Sequence, residues 1–220
     1  HDFFEIASTG SMLIDGGSFI SDVPFAKSKA WNNIHGNFEM TDGLFETTYN
    51  SPRFSPSSTS AVSGGIIRSG VGFMAEGGAD FNPTGGTVEM TGHASGCVLY
   101  SDEGNSFFNL HLNLPDGHTV RYFTDVEITS DLLISSGNFE CGEGDDSFEL
   151  FVGRDWTDNS GGFIPNQGTV IFYGEHTSQI ATDETFYNLT IDKTNTMWDA
   201  VNLNPGLVCS VLNDFTTLDG

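Results

Sequence analysis

The sequence is poor in positive charge, in cysteine and in long apolar runs. Seven basic residues face 30 acidic ones, a formal net charge of −23 over 220 residues. Such a surface repels nucleic-acid phosphate and anionic lipid headgroups, so no nucleic-acid partner is expected. No stretch approaches the ~20 consecutive apolar residues of a membrane helix, so no membrane insertion is expected within this segment. The three cysteines, Cys97, Cys141 and Cys209, form no CxxC motif, which disfavours zinc. Their spacing allows one disulfide with one buried thiol and selects no pair. The chain begins at His1 with no signal peptide, and it reads as a mature or excised fragment whose export signal lies outside it.

Helical periodicity is almost absent too. Short apolar runs alternate with turn residues every 8–12 positions, the pattern of an all-β chain. What is abundant is phenylalanine, with 19 residues, and glycine, with 27. Phenylalanine supplies a core from few, large side chains, and glycine without a Gly-X-Y period excludes collagen. The predicted strands are short. Ser11–Ile14 and Ser18–Ile20 flank Asp15-Gly16-Gly17, and Phe38–Met40 and Leu44–Glu46 flank the tight turn Thr41-Asp42-Gly43. Residues 22–35, with Trp31, read as irregular. Residues 49–60, YNSPRFSPSSTS, read as the longest loop and the best candidate insertion. The run 125–140 reads as three strands, Val126–Ile128, Leu132–Ile134 and Asn138–Glu140.

One passage occurs twice. FNPTGGTVEMTG from Phe81 and FIPNQGTVIFYG from Phe163 match at an offset of 82. FFNLHL from Phe107 and FYNLTI from Phe186 follow them, while GNFEMTDGLFE from Gly36, SDLLISSGNFE from Ser130 and NDFTTLDG from Asn213 form a third set. Internal copies therefore span about 36–112 and 130–191, with another starting near 213, inside one segment of 1–220. The matched positions are apolar residues, glycines and prolines, so the repeat preserves a backbone path and a core. Strands this short suit a right-handed parallel β-helix of ~20-residue coils, four coils making the 82-residue repeat. Parallel stacking would place phenylalanines in internal ladders. Two tandem β-sandwich domains of ~80–90 residues are the alternative.

The run from Leu150 to Thr194 resembles the β-strand repeats of very large secreted and cell-surface proteins of Bacteroidota-type bacteria. The resemblance rests on Gly153, Asp155, Trp156, Thr157 and Asp158, then Phe163, Pro165, Gly168, Thr169 and Val170, then Gln179 and Ile180, then Tyr187, Asn188 and Leu189. It covers roughly 130–195 and, in part, 65–112, where Gly72-Phe73-Met74-Ala75 stands in place of the tryptophan segment. It implies an adhesin, gliding or filament protein at the bacterial cell surface or outside the cell, with no catalytic residues to carry over. The partners it implies are neighbouring segments, other copies of the protein, or cell-surface glycans.

β-Helices also host polysaccharide-active enzymes, so the carboxylates matter. The candidates are Glu143 with Asp145 and Asp146 in a glycine-rich turn, and Asp155 with Asp158 flanking Trp156. The first set reads as corner residues facing water, and Trp156 as a core or corner plug. Arg53, Arg68, Arg121 and Arg154 offer no convincing basic partner, and Arg154 and Asp155, as neighbours on a strand, point to opposite faces. The histidines, among them His93, His111, His118 and His176, show no metal-ligand spacing. Asn188-Leu189-Thr190 is a formal glycosylation sequon inside a predicted strand. No GxSxG elbow, no EF-hand loop and no GGxGxD nonapeptide occur. No catalytic, cofactor or metal residue is assigned, and only incidental calcium at a corner is left open. A structural role predicts that Trp31, Trp156 and Trp198 are buried and that no deep cleft exists. A polysaccharide-active enzyme or carbohydrate-binding module predicts an acidic, aromatic-lined groove with those tryptophans exposed.

Overall fold

The structure, a computed structural model, describes residues 4–22, 31–94, 96–160, 162–194 and 201–218. Among them there is no helix. The strands pair in parallel and form a right-handed parallel β-helix of about nine coils. The first face holds eight strands, from Glu5–Ile6 to Phe163–Ile164, and the second holds nine, from Ser11–Ser21 to Val201–Leu203. A third face of five strands begins only at Val126–Ile128 and ends at Cys209–Thr217.

Alternation along each strand decides which side chains go inward. In Asn138–Cys141 the burial runs half-buried, buried, half-buried, buried, and Phe139 and Cys141 point into the core. Because each coil lies in register on the next, the inward residues form columns. Val88, Leu110, Leu132, Trp156 and Ile180 are successive partners on the second face. The rings of Phe38, Phe54, Phe73, Phe81 and Phe107 touch in sequence at centroid separations of 4.5–5.9 Å. The expected aromatic ladder is present, and at its lower end Phe4 packs on Phe19 and Phe45.

The coils are longer than expected. Partners on the second face lie 22 residues apart from Val88 to Leu110 and 24 from Leu132 to Trp156. An 82-residue step therefore spans three coils and part of a fourth. Val88 lies on the second face but Val170 lies on the third, between Leu150 and Leu189. The repeated passage is thus a corner followed by a strand, and that unit serves on more than one face.

Two predicted irregular stretches belong to the coil. Ser51–Phe54 is a first-face strand between Trp31–Ile34 and Phe73–Ala75, and Thr59–Ser69 is a second-face strand. Their prolines and serines hid them, but a coil strand needs only a few extended residues and one inward anchor, here Phe54. Residues 23–30 of the other stretch lie outside the described residues. The run 125–140 gives three strands as expected, one on each face in the order third, second, first.

The predicted turns at Asp15-Gly16-Gly17 and Thr41-Asp42-Gly43 are bends within single long strands, Ser11–Ser21 and Asn37–Thr47. Glycines with positive φ make each bend: Gly17 (73°), Gly43 (91°), Gly65 (78°) and Gly86 (82°). They stand over one another, and Asn109 closes the column by donating from Nδ2 to the Gly86 carbonyl at 3.1 Å. An added Cβ at Gly65 would run into the Met40 methyl and the Gly43 carbonyl oxygen, whereas one at Gly16 meets nothing within 4 Å.

Outside, the same register threatens to stack carboxylate on carboxylate. On the second face the column runs Glu46, Arg68, Glu89, His111. Arg68 donates to Glu46 at 3.1 Å and to Glu89 at 2.7 Å. The Glu89 carboxyl is held below its usual range by Arg68 and Asn113, against the opposing effect of its own burial. On the first face Arg121 bridges Glu140 (2.5 Å) and Glu143 (2.7 Å).

The glycine column yields a graded prediction. Gly16→Ala should cost about 1–2 kcal/mol from left-handed backbone alone. Gly65→Ala, with the same strain and no room, should cost roughly twice as much. Urea unfolding compares the two; equal losses would mean the stack is not tight.

Candidate functional site

The sequence-selected carboxylates do not assemble into a site. In the turn after Asn138–Cys141, Asp146 accepts the Glu143 amide (2.9 Å), Asp145 accepts Gln167 Nε2 (2.7 Å), and Glu143 pairs with Arg121. Asp155 accepts the Gln179 amide of the next coil. Asp158 is buried and accepts the amides of Ser160 and Phe163. Asp146, Asp155 and Asp158 hold backbone amides, and Glu143 and Asp145 hold side chains of neighbouring coils. Trp156 is wholly buried, with its indole donating to Glu184 Oε2 at 2.7 Å, so it is no exposed sugar platform. Trp31 is half-buried, and Trp198 lies outside the described residues. Arg154 is exposed. His93 packs on the Tyr49 ring, His111 bonds Ser135 and faces Glu89, His118 bonds the Gly92 carbonyl, and His176 is exposed. Asn188 donates to Thr169 and the Gln167 carbonyl and accepts from Asn213, one step in a polar ladder. Among the described residues no group of three His, Cys, Asp or Glu side chains could hold a metal ion.

The three cysteines are free thiols. Cys97 partners Val120, and Val120 partners Phe139, while Cys141 partners Tyr122. Cys97 and Cys141 thus stand two coils and two strand residues apart, roughly 12 Å, beyond disulfide reach. Burial pushes the Cys97 thiol up to about 11.

The site that exists was not selected from the sequence. A groove of about 610 Å³ opens where the third face begins. One wall is the turn Ser101–Asn105, which Asn105 closes by donating from Nδ2 to the Asp102 and Glu76 carbonyls. Phe123 stacks on Tyr100 at 6.0 Å beside it. The floor is the outward side of the third face: Glu127, Phe151 as its partner on the next coil, and Tyr173. The Phe151 and Tyr173 rings meet edge-on at 6.0 Å, and the Tyr173 hydroxyl reaches back two coils to donate to Glu127 at 2.8 Å. Asp102 accepts the Gly77 amide (2.9 Å) and Asp125 accepts the Glu149 amide (2.8 Å). Glu103, on the turn, is exposed.

The expectation of no deep cleft is therefore not met: four carboxylates and four aromatic rings line this groove. A signal for it lay in the sequence. Where one face of a strand is solvated, apolar residues should alternate with polar ones. Glu149–Val152 and Thr169–Gly174 instead carry Phe151 and Tyr173 at the outward phase, next to inward Leu150, Val152, Val170 and Phe172.

Searches with family models, curated proteins and solved structures return no match to this chain.

The buried end of the Trp156 contact is titratable. Burial pushes the Glu184 carboxyl up to about 7, Asp158 adds to the rise, and the Thr185 and Trp156 N–H groups oppose it. The folded protein therefore holds a proton that the unfolded chain releases. Stability from this group is full below the ordinary carboxylate value near 4.5 and declines as pH rises to about 7. The decline should be on the order of 3 kcal/mol. Glu184→Gln keeps an acceptor for the indole and should flatten the decline relative to the parent chain, as read by urea unfolding between pH 4.5 and 8. An unchanged difference across that range would assign the titration elsewhere.

Proposed function

We propose that this chain is a rigid segment of a large extracellular surface or filament protein, structural and adhesive in role and without catalysis. The observation that carries this reading is the unbroken stack of parallel coils around one apolar column, on which the sequence-selected carboxylates bond neighbouring groups instead of gathering into a site. The carboxylate-coated exterior and the resemblance of the Trp156 repeat to bacterial surface proteins support the same reading. The groove gives the segment somewhere to hold a glycan.

A second reading, a polysaccharide-active β-helix, draws on that groove. Against it, Asp102, Asp125 and Glu127 each spend an oxygen on holding a backbone amide or the Tyr173 hydroxyl.

Incubation with neutral and anionic polysaccharides, with and without calcium, should release no new reducing ends; depolymerisation would replace the adhesive reading with the enzymatic one.

A further inference from the structure

The groove has a charge character that names its ligand more closely. Its lining includes four carboxylates, four aromatic rings and no basic residue. Three of the described arginines are paired with carboxylates outside the groove: Arg53 with Glu76, Arg68 with Glu46 and Glu89, and Arg121 with Glu140 and Glu143. The carboxylates do not converge on a metal position either. They are spread along the walls of a volume in the range of small-molecule sites.

Asp102, Asp125 and Glu127 are each fixed through one oxygen, and the other has no protein donor among the described residues. These are preorganised acceptors. Phe123, Phe151 and Tyr173 add ring faces and edges, which suit the apolar side of a pyranose and attract a cation. Hydroxyls and ammonium groups donate to carboxylates; uronate and sulfate groups would be repelled by them.

We propose that this groove binds an amino sugar, its glucosamine-type ammonium drawn to the wall that carries Asp102, Asp125 and Glu127 and its pyranose ring against Phe151 and Tyr173. This rests on the adhesive reading above and names the class of glycan held. The same geometry gives the site a salt dependence, because the attraction is between charges at a partly solvated surface.

Calorimetric titration of the full chain tests it with four probes: a glucosamine trimer, its N-acetylated neutral counterpart, a galacturonate trimer and a lysine tripeptide. The glucosamine trimer should bind at least tenfold more tightly than the neutral trimer, and the galacturonate trimer should not bind. Asp125→Asn/Glu127→Gln, which keeps acceptors for the Glu149 amide and the Tyr173 hydroxyl, should lower glucosamine affinity at least tenfold with an unchanged circular dichroism spectrum. Phe151→Ala should weaken both the glucosamine and the neutral trimer. Neutral-trimer binding equal to or tighter than glucosamine binding, and lost in Phe151→Ala, would overturn the charge selection and leave glycan adhesion standing. Binding of no saccharide by any form would overturn both. Lysine tripeptide binding as tight as the glucosamine trimer would overturn the saccharide assignment.

Discussion

Each coil lies in parallel register on the one before, so whatever a strand presents at one position is met by the same position of the next strand. Inside, this is favourable: apolar residue falls on apolar residue, and Phe38 through Phe107 build a continuous packed column. Burying each such ring removes roughly 150–250 Å² from water. With apolar residues only 37% of the chain, a few large side chains stacked this way replace many small ones. The backbone obeys the same constraint, since glycine must answer glycine at the bend shared by Gly17, Gly43, Gly65 and Gly86.

Outside, the register is a liability for a chain of net charge −23. Carboxylate columns would repel at a separation of one strand spacing, ~4.8 Å. Arg68 is placed as an interleaving cation between carboxylates of the coils on either side, Arg121 neutralises two carboxylates of the next coil, and asparagine and threonine fill other outer positions. Scarcity of basic residues thus has a structural consequence. Arg53, Arg68 and Arg121 are taken up by carboxylates elsewhere, and no basic side chain lines the groove at the start of the third face.

The fold was largely legible, because alternation and corner glycines are local signals. The three strands in 125–140 could be read from three apolar pairs and the polar residues between them. The number of residues per coil could not, because a corner-plus-strand unit is locally the same on any face; Val88 and Val170 match in sequence and lie on different faces. Ser51–Phe54 was hidden by Pro52, since a strand anchored by one inward phenylalanine carries almost no periodicity. The groove was missed for another reason. Carboxylates were sought where they cluster along the chain, at 143–146 and 155–158, but those bond their own corners or the neighbouring coils. The lining residues come from coils that meet only after folding, and Phe151 and Tyr173 sit within apolar runs beside inward Leu150, Val152, Val170 and Phe172. The thiols show the same limit: spacing says nothing about which coil a cysteine occupies.

The central claim is that successive coils advance along one axis by one strand spacing. Nitroxide labels at Ile20 and Thr157, in a background lacking the three native thiols, test it by pulsed dipolar spectroscopy. The two positions lie on one outer column, linked through Glu46, Arg68, Glu89, His111 and Leu133. Six steps of ~4.8 Å predict a separation of about 29 Å, and moving the second label from Thr157 to Leu133 should shorten it by about one step of 4.8 Å. A separation that does not shorten with that move, or a broad distribution with no peak near the predicted value, would contradict a single stacked column.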